Sequence, residues 1–351
     1  MIVVIADDLS GAAELAGAAT QQGLSAEVQT RFDPASDADV VCVDTDSRLL
    51  APSVAAGRVA EVAQRVVAAK PAWIFKKCDS VLRGPVLAEA RAIATATGRS
   101  RILLVPGNPS RERTIRDGIY RIAGQPLHET SFAHDPTHPR RSSQVSELLG
   151  GDLAEVIVPD IATASDVRLQ ADGVGADILP VGGVDFFAAL LAARVAAGTP
   201  PGSAPSVKGS TLLVCGSETS WTRRCGEAAA RGIPVFGLPH DLPAVVNALA
   251  GGKPVLLGIG NGPATRAVPP QALTAQLAQS VAAILHANRI QNLFLEGGAT
   301  SAAVIAALGW TRLRAEPAVD PGIGLLRPVA VAAPLLAIKP GSYPWPTALW
   351  P

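Results

Sequence analysis

A β-branched strand that stops at two adjacent carboxylates and continues as an alanine-rich helix constrains this chain more than any other stretch. Residues 2–16 read Ile-Val-Val-Ile-Ala-Asp7-Asp8-Leu-Ser10-Gly11-Ala-Ala-Glu14-Leu-Ala. The apolar run is too short for anything but a buried strand. Ser10 is the expected N-cap of a helix over about 11–22, and Gly23 its stop. The same rhythm recurs: strands are expected at 26–30, 40–44, 73–77 and 101–105, with helices over 53–69 and after Pro85. In the 53–69 helix Val59, Val62, Ala63 and Val66 share one face, and Arg58, Glu61 and Arg65 the other. Repeated βα units predict a parallel sheet with helices on both faces.

In such a sheet the carboxyl ends of the strands form one edge, where ligands bind. Asp7 and Asp8, Asp44 and Asp46, Lys76, Lys77, Asp79 and Arg83, and Asn108 all fall there. Carboxylates accept hydroxyl hydrogens and guanidinium groups neutralise acids, so the mixture suits a polyhydroxylated anion. On a strand Lys76 and Lys77 point to opposite faces, and at most one reaches the edge directly.

With 351 residues, 48% of them apolar, the chain suits two domains. Its 30 basic and 30 acidic residues cancel, which removes the footprint of a nucleic-acid binder. No apolar run approaches a membrane span and no leader precedes the first strand, so a cytoplasmic protein without membrane contact is expected. Cys42, Cys78, Cys215 and Cys225 lack the spacing of a zinc site or a disulfide framework and read as buried thiols. Residues 109–141 form a long polar segment whose apolar anchors, Tyr120, Leu127 and Phe132 among them, predict an ordered cover over the site. His128, His134, Asp135 and His138 lie within it in a Pro-rich loop, a context that fits polar packing better than a metal site.

Proline, glycine and serine crowd residues 199–209. The expected division is a first domain over 1–200, a linker at 201–209 and a second domain over 210–351. The second half restarts the βα pattern. Gly216-Ser217 and Gly297-Gly298 each sit between a strand and a helix, where free backbone N–H groups and a helix dipole attract anions. Lys339-Pro340-Gly341 repeats the theme. No P-loop or complete dinucleotide fingerprint occurs; Gly258-Ile-Gly260-Asn-Gly262 is a partial match only.

Asp7-Asp8-Leu-Ser10-Gly11-Ala, Lys76-Lys77-Cys-Asp79-Ser80-Val-Leu-Arg83-Gly84, the segment from Pro106 to Pro136, Glu296-Gly297-Gly298-Ala299-Thr300 and Lys339-Pro340-Gly341 resemble, in this order, the motifs of the four-carbon acid sugar kinase family. The resemblance spans nearly the whole chain and is nearest the shorter branch of that family. It implies an α/β fold of two domains, each a mainly parallel sheet flanked by helices, with the active site in the interdomain cleft. It also implies ATP and Mg²⁺ as cofactors, and phosphorylation of the terminal hydroxyl of a tetronate such as threonate, erythronate or 3-oxo-tetronate. Asp8, Asp79, Ser80 and Arg83 would surround the sugar acid, with Asp8 first and Asp79 second as the catalytic carboxylate. Asp7, Ser10, Lys76, Lys77 and Asn108 join them as substrate-binding candidates from the shared edge. Ser217, Gly297, Gly298, Thr300, Lys339 and Gly341 would face the nucleotide phosphates.

Two positions depart from the family pattern: Ala299 stands where Asp usually follows the glycine pair, and Tyr343-Pro344 where Phe-Gly usually ends the last motif. Ala299 leaves open an inactive ligand-binding or regulatory protein. The glycines of 258–262 leave open a nicotinamide-dependent oxidoreductase. A homo-oligomer is compatible with all three readings.

Overall fold

The computed structural model describes residues 1–135, 137–195, 202, 205, 207–260, 262, 265, 267–317, 320, 322–329, 333–341, 343–347 and 349–350. The first half runs β1 (Ile2–Ala6), α1 (Leu9–Gln21), β2 (Ala26–Gln29), β3 (Val40–Asp44), α2 (Pro52–Ala68), β4 (Ile74–Lys77), α3 (Val86–Thr97) and β5 (Arg101–Val105). A small antiparallel sheet follows, β6 (Arg113–Arg116), β7 (Ile119–Ile122) and β8 (Gln125–Pro126), within the expected cover. The half closes with α4 (Val145–Leu149), β9 (Val156–Ile157), α5 (Ala164–Asp172), β10 (Ile178–Gly182) and α6 (Val184–Arg194).

The second half begins with β11 (Thr211–Cys215), α7 (Glu218–Ala229), β12 (Val235–Gly237), α8 (Leu242–Ala250), β13 (Val255–Gly258) and α9 (Pro270–Ala287). It continues with β14 (Asn292–Glu296), α10 (Gly298–Ala307), β15 (Arg312–Glu316), β16 (Gly324–Pro328) and β17 (Leu335–Lys339). Of the linker expected at 201–209, residues 201, 203, 204 and 206 lie outside the described residues.

Each half has the expected parallel sheet flanked by helices, yet the two sheets are fused. Their common order is β12-β13-β11-β14-β17-β16-β15-β2-β3-β1-β4-β10-β5-β9. The seam is the antiparallel pair of β15 with β2, and β16 and β17 add two more antiparallel steps. Three reversals mean that the parallel strands of one half run opposite to those of the other. Charge reinforces the seam: Arg312 holds the buried Glu27 through two bonds of 2.6 and 3.0 Å and reaches Asp33 at 3.0 Å.

Helix α1 explains the composition of the opening stretch. It lies between the halves, against β2, β3 and α6 on its own side and against β15, β16, β17 and α10 across the cleft, so every residue from Leu9 to Thr20 is buried. Only small side chains permit contact all round. At Gly324 an added Cβ would stand 2.5 Å from the Ala13 Cβ. The helix begins earlier than expected. Asp8, not Ser10, is its N-cap, because the Asp8 carboxylate accepts from the Gly11 N–H at 2.8 Å and its backbone is extended (φ −147°). On the other sheet face α2 covers β1, and α3 covers β5 and β10.

Both halves have a topological switch point. From β1 the chain moves to β2 and β3 on one side and then to β4 on the other, which leaves a crevice at the carboxyl ends of β1 and β4. From β11 it moves to β12 and β13 on one side and then to β14 on the other, which leaves a second crevice between β11 and β14. Asp7, Asp8, Lys77 and Asp79 flank the first crevice; Gly216-Ser217 and Gly297-Gly298 flank the second.

Candidate functional site

At the first crevice one guanidinium organises three carboxylates. Arg48 binds Asp7 in a two-pronged pair (Nε to Oδ2 2.7 Å, Nη2 to Oδ1 3.0 Å), donates to Asp8 Oδ2 at 2.7 Å and lies 3.6 Å from Asp79 Oδ1. Asp8 also accepts from the Ser10 hydroxyl at 2.6 Å. Burial alone would raise the Asp7 carboxyl, but Arg48, Lys76 and Lys77 outweigh it and hold the group below its ordinary range. Asp44 behaves oppositely: burial, with Asp46, Asp8 and Asp7 nearby, pushes its carboxyl well above the usual range. Removing the cation takes the two-pronged partner from the buried Asp7 and one donor from Asp8, so Arg48→Met is expected to destabilise the chain by about 3 kcal/mol. Urea unfolding of wild type and variant at neutral pH checks this, and an unchanged midpoint would contradict it.

Asp79 is locked rather than poised. Its Oδ2 accepts from the Val81 N–H, the Arg83 N–H and Arg83 Nε at 3.0–3.1 Å, and its Oδ1 from Arg83 Nη2 at 2.8 Å. Burial opposes ionisation, yet Arg83, Arg48 and these hydrogen bonds hold the carboxyl well below its ordinary 3.8. A depressed acid contributes stability above its unfolded pKa and loses it as pH falls through the folded one. Wild type should therefore lose stability more steeply than Asp79→Asn below about pH 4. Denaturant titrations between pH 2 and 6 read this directly, and parallel curves would refute it.

The lysines divide as strand alternation requires. Lys76 is fully buried beneath α3, paired with Glu89 at 2.7 Å, and does not reach the crevice. Lys77 faces α1, 3.4 Å from Glu14 Oε2. Asn108 is also withdrawn: its Oδ1 accepts from the Asp185 N–H at 3.1 Å in the first turn of α6. Of the expected substrate-binding set, Asp7 and these two residues serve as supports, whereas Asp8, Ser10, Lys77, Asp79, Ser80 and Arg83 line one polar cavity.

Residues 113–135 pack over that cavity. Arg113 donates to the Ser80 hydroxyl, and the Tyr120 hydroxyl donates to the Ser80 carbonyl. Phe132 stacks under Arg83 and Arg113, both 5.7 Å from its ring centre. Asp135 pairs with Arg83 at 3.0 Å, and His128 bonds Ser143 at 2.7 Å. The histidine-rich loop is thus held by polar packing, while Pro136 lies outside the described residues. Cys42, Cys78 and Cys215 are buried and Cys225 half-buried, all as free thiols.

At the second crevice the two turns touch. A Cβ on Gly216 would meet the Thr300 hydroxyl at 2.0 Å, so only glycine lets β11 approach the first turn of α10. Ser217 caps α7 by accepting from the Ser220 N–H at 3.3 Å. Gly297 has φ +96°, a conformation that disfavours any side chain, and leaves the N-terminus of α10 open. Gly341 follows Lys339-Pro340 at the same end of the sheet.

Lys339 does not reach into the crevice. It is fully buried, bonded to Glu296 at 2.9 Å, and Glu296 also receives Arg224 at 2.7 and 3.2 Å and the Trp345 indole N–H at 3.2 Å. Burial outweighs Glu296 and lowers the Lys339 ammonium to about 8. Gly258, the first glycine of the partial dinucleotide pattern, is a packing glycine, since a Cβ there would lie 2.1 Å from the Trp221 ring.

The two crevices meet. A Cβ on Gly298 would lie 2.2 Å from Asp8 Oδ2, so the carboxylate that caps α1 stands against the N-terminus of α10. Beside this contact a small cavity of about 20 Å³, room for about one water, is walled by Asp8, Lys77 and Asp79 from the first half and by Pro340 and Tyr343 from the second. A separate groove of about 340 Å³ lies between Asp44, Asp46 and Arg58 on one side and Ala302 and Ala306 of α10 on the other. Arg48, Glu14, Arg113, Asp135 and Tyr343 escaped the sequence reading as site residues. Arg48 follows a strand end that already carried acids, the one available signal; the others come together only through tertiary contacts.

Residues 2–181 match a family described as a sugar-binding N-terminal domain, and residues 243–343 a nucleotide-binding C-terminal domain. D-threonate kinase from Bordetella bronchiseptica is 34% identical over 65% of this chain and 62% of its own length. D-threonate kinase from Cupriavidus necator is 28% identical over 99% of this chain and 96% of its own. 3-Oxo-tetronate kinase from Methylobacterium radiotolerans is 30% identical over 97% and 95%. Among solved structures, a Haemophilus influenzae protein superposes with a TM-score of 0.71 at 19% identity, over 97% of both chains. A Bordetella bronchiseptica domain of unknown function, solved with citrate as a domain-swapped dimer, gives 0.51 at 25% identity over 98% of this chain and 95% of its own. With its first 181 residues matched to the sugar-binding domain and both crevices carrying the motifs in order, the chain belongs to the four-carbon acid sugar kinase family.

Proposed function

We propose that this chain is an ATP-dependent kinase acting on the terminal hydroxyl of a four-carbon sugar acid. One observation carries the reading: Asp8, at the crevice of the sugar-binding half, stands against the N-terminus of α10, the anion-attracting turn of the nucleotide-binding half. A terminal phosphate held by the N–H groups of Gly298 and Ala299, which open α10, would lie beside that carboxylate, while the Gly297 N–H is taken by the Lys339 carbonyl. Phosphoryl transfer asks the protein for in-line placement, charge neutralisation and a carboxylate that orients the attacking hydroxyl. Asp8 supplies the last. Arg83, held by Asp79 and Asp135, presents a fixed cation for the acid group of the substrate.

Among the described residues no three His, Cys, Asp or Glu side chains converge as a metal site. That donor set fits a Mg²⁺ ion that arrives with ATP and is held mainly by phosphate oxygens and water. Bound so, the ion would neutralise charge on the transferring group.

The cavity as it stands has no room for a four-carbon acid, so the halves part to admit it and come together around it, which excludes water. The 201–209 linker is the covalent connection for that motion. The domain-swapped dimer of the Bordetella relative supports a homo-oligomer here as well. No helix among the described residues is long and apolar enough to cross a membrane.

ADP release measured with D- and L-threonate, D- and L-erythronate and 3-oxo-tetronate tests the activity. Turnover with at least one is expected. ADP release with none of them, in a protein whose melting temperature ATP still raises, would favour the regulatory reading.

A further inference from the structure

Tyr343 belongs to the nucleotide-binding half, yet its side chain is built into the other. Its ring lies between two guanidinium groups, Arg111 at 5.0 Å and Arg113 at 5.3 Å, both from the segment that covers the sugar-binding crevice. Arg111 also pairs with Asp320 of the second half at 2.8 Å. Gly322 makes room for the ring: a Cβ there would stand 2.6 Å from Tyr343 Cε2. Tyr343 lines the small cavity, its hydroxyl 3.4 Å from Glu14 Oε1, while Lys77 Nζ, which donates to the Cys78 carbonyl at 2.8 Å, is 3.4 Å from Glu14 Oε2.

Both contacts to Glu14 are long for polar groups this deeply buried, and the void they border is water-sized. A donor, an ammonium and a carboxylate therefore face one small polar space without closing on one another. Burial and the nearby Glu14 raise the phenol to about 12, so the hydroxyl keeps its proton through neutral pH.

Resting on the kinase reading, we propose that Tyr343 is a specificity-determining residue whose hydroxyl binds a hydroxyl or carboxylate oxygen of the acceptor once the halves have closed. Acceptor recognition is then split between the halves. Asp8, Lys77 and Arg83 greet the acid in the open state, and Tyr343 completes its shell on closure. An acceptor that cannot meet the phenol leaves it only its long bond to Glu14, which penalises compounds lacking that oxygen.

Tyr343→Phe removes only the hydroxyl. Acceptor binding by calorimetry and KM for acceptor and ATP should be measured for wild type and variant with the same four-carbon acids. Acceptor Kd and KM weaken about 3- to 10-fold, while KM for ATP and the melting temperature stay as in wild type. Unchanged acceptor constants, or equal losses for acceptor and ATP, would overturn the proposal and leave the ring as a strut between halves. Wild type that neither binds nor phosphorylates any four-carbon acid defeats the kinase reading itself. That outcome is separate from wild-type turnover with an indifferent Tyr343→Phe.

Discussion

Asp8→Asn is expected to lower kcat with the four-carbon acid by about 10²–10⁴-fold, the range lost with a positioned acid–base group. Asn keeps the capping role of the residue. Its side-chain oxygen still accepts from the Gly11 N–H and caps α1 as well as Asp does. Arg48 retains its two-pronged pair with Asp7 and its proximity to Asp79, so no cation is stranded. What disappears is the negative charge against the N-terminus of α10, together with the acceptor Oδ2 for Arg48 and the Ser10 hydroxyl. The melting temperature should fall modestly and ATP affinity stay near wild type while single-turnover phosphoryl transfer collapses. Asp79 is the contrasting control. Its carboxyl is saturated by Arg83 and backbone N–H groups and is held too acidic to take a proton at neutral pH, so Asp79→Asn acts through Arg83 and raises the acceptor KM more than it lowers kcat. An Asp8→Asn enzyme with near-normal kcat would remove Asp8 from the chemistry.

Much of this arrangement was legible because it is local. The strand–acid–helix opening, the βα rhythm and the small-residue turns before α7 and α10 follow from periodicity and turn chemistry, and right-handed crossovers place their ends along shared edges. The opposite facing of Lys76 and Lys77 follows from strand alternation alone. Non-local pairing was illegible. β15 reads Arg-Leu-Arg-Ala-Glu, a short alternating segment whose partner, β2, lies nearly the whole chain away, and the ion pair of Arg312 with Glu27 exists only after they meet. The fused sheet was therefore unforeseen.

Arg48 illustrates the same limit within the site. Nothing in Asp46-Ser47-Arg48 says that its guanidinium turns back on Asp7 and Asp8 rather than outward. Lys339 was assigned to the nucleotide from its motif. Its strand register instead sets it beside Glu296, inside the core of the nucleotide-binding half. Burial in α1 was illegible too, since an Ala-rich helix with one buried Glu14 shows that it is enclosed on all sides only when both halves are present.

Gly298→Ala tests whether the halves work as one site. An alanine at the start of a helix is ordinarily favourable, because it forfeits less backbone entropy than glycine. The nucleotide-binding half should thus fold at least as well with it. Its methyl group would instead stand 2.2 Å from Asp8 Oδ2 and 3.1 Å from Asp8 Cγ, closer than any nonbonded contact permits. Asp8 cannot retreat freely, because the Gly11 N–H, the Ser10 hydroxyl and Arg48 hold it. The clash must open the cleft, and a displacement of about 1 Å at the reacting atoms suffices to cost about 10²-fold in kcat.

Gly297→Ala separates this effect from backbone strain. Nothing lies within 4 Å of the added Cβ there, and the φ of +96° alone penalises the substitution. That variant should lose stability in the nucleotide-binding half, by about 1–2 kcal/mol. It should keep a cleft of normal width, read by small-angle scattering with ATP and acceptor bound. Gly298→Ala should show the reverse: an unchanged melting temperature, a wider particle and little turnover. If Gly298→Ala closes and turns over as wild type does, the contact between Asp8 and α10 is not the place where phosphoryl transfer occurs.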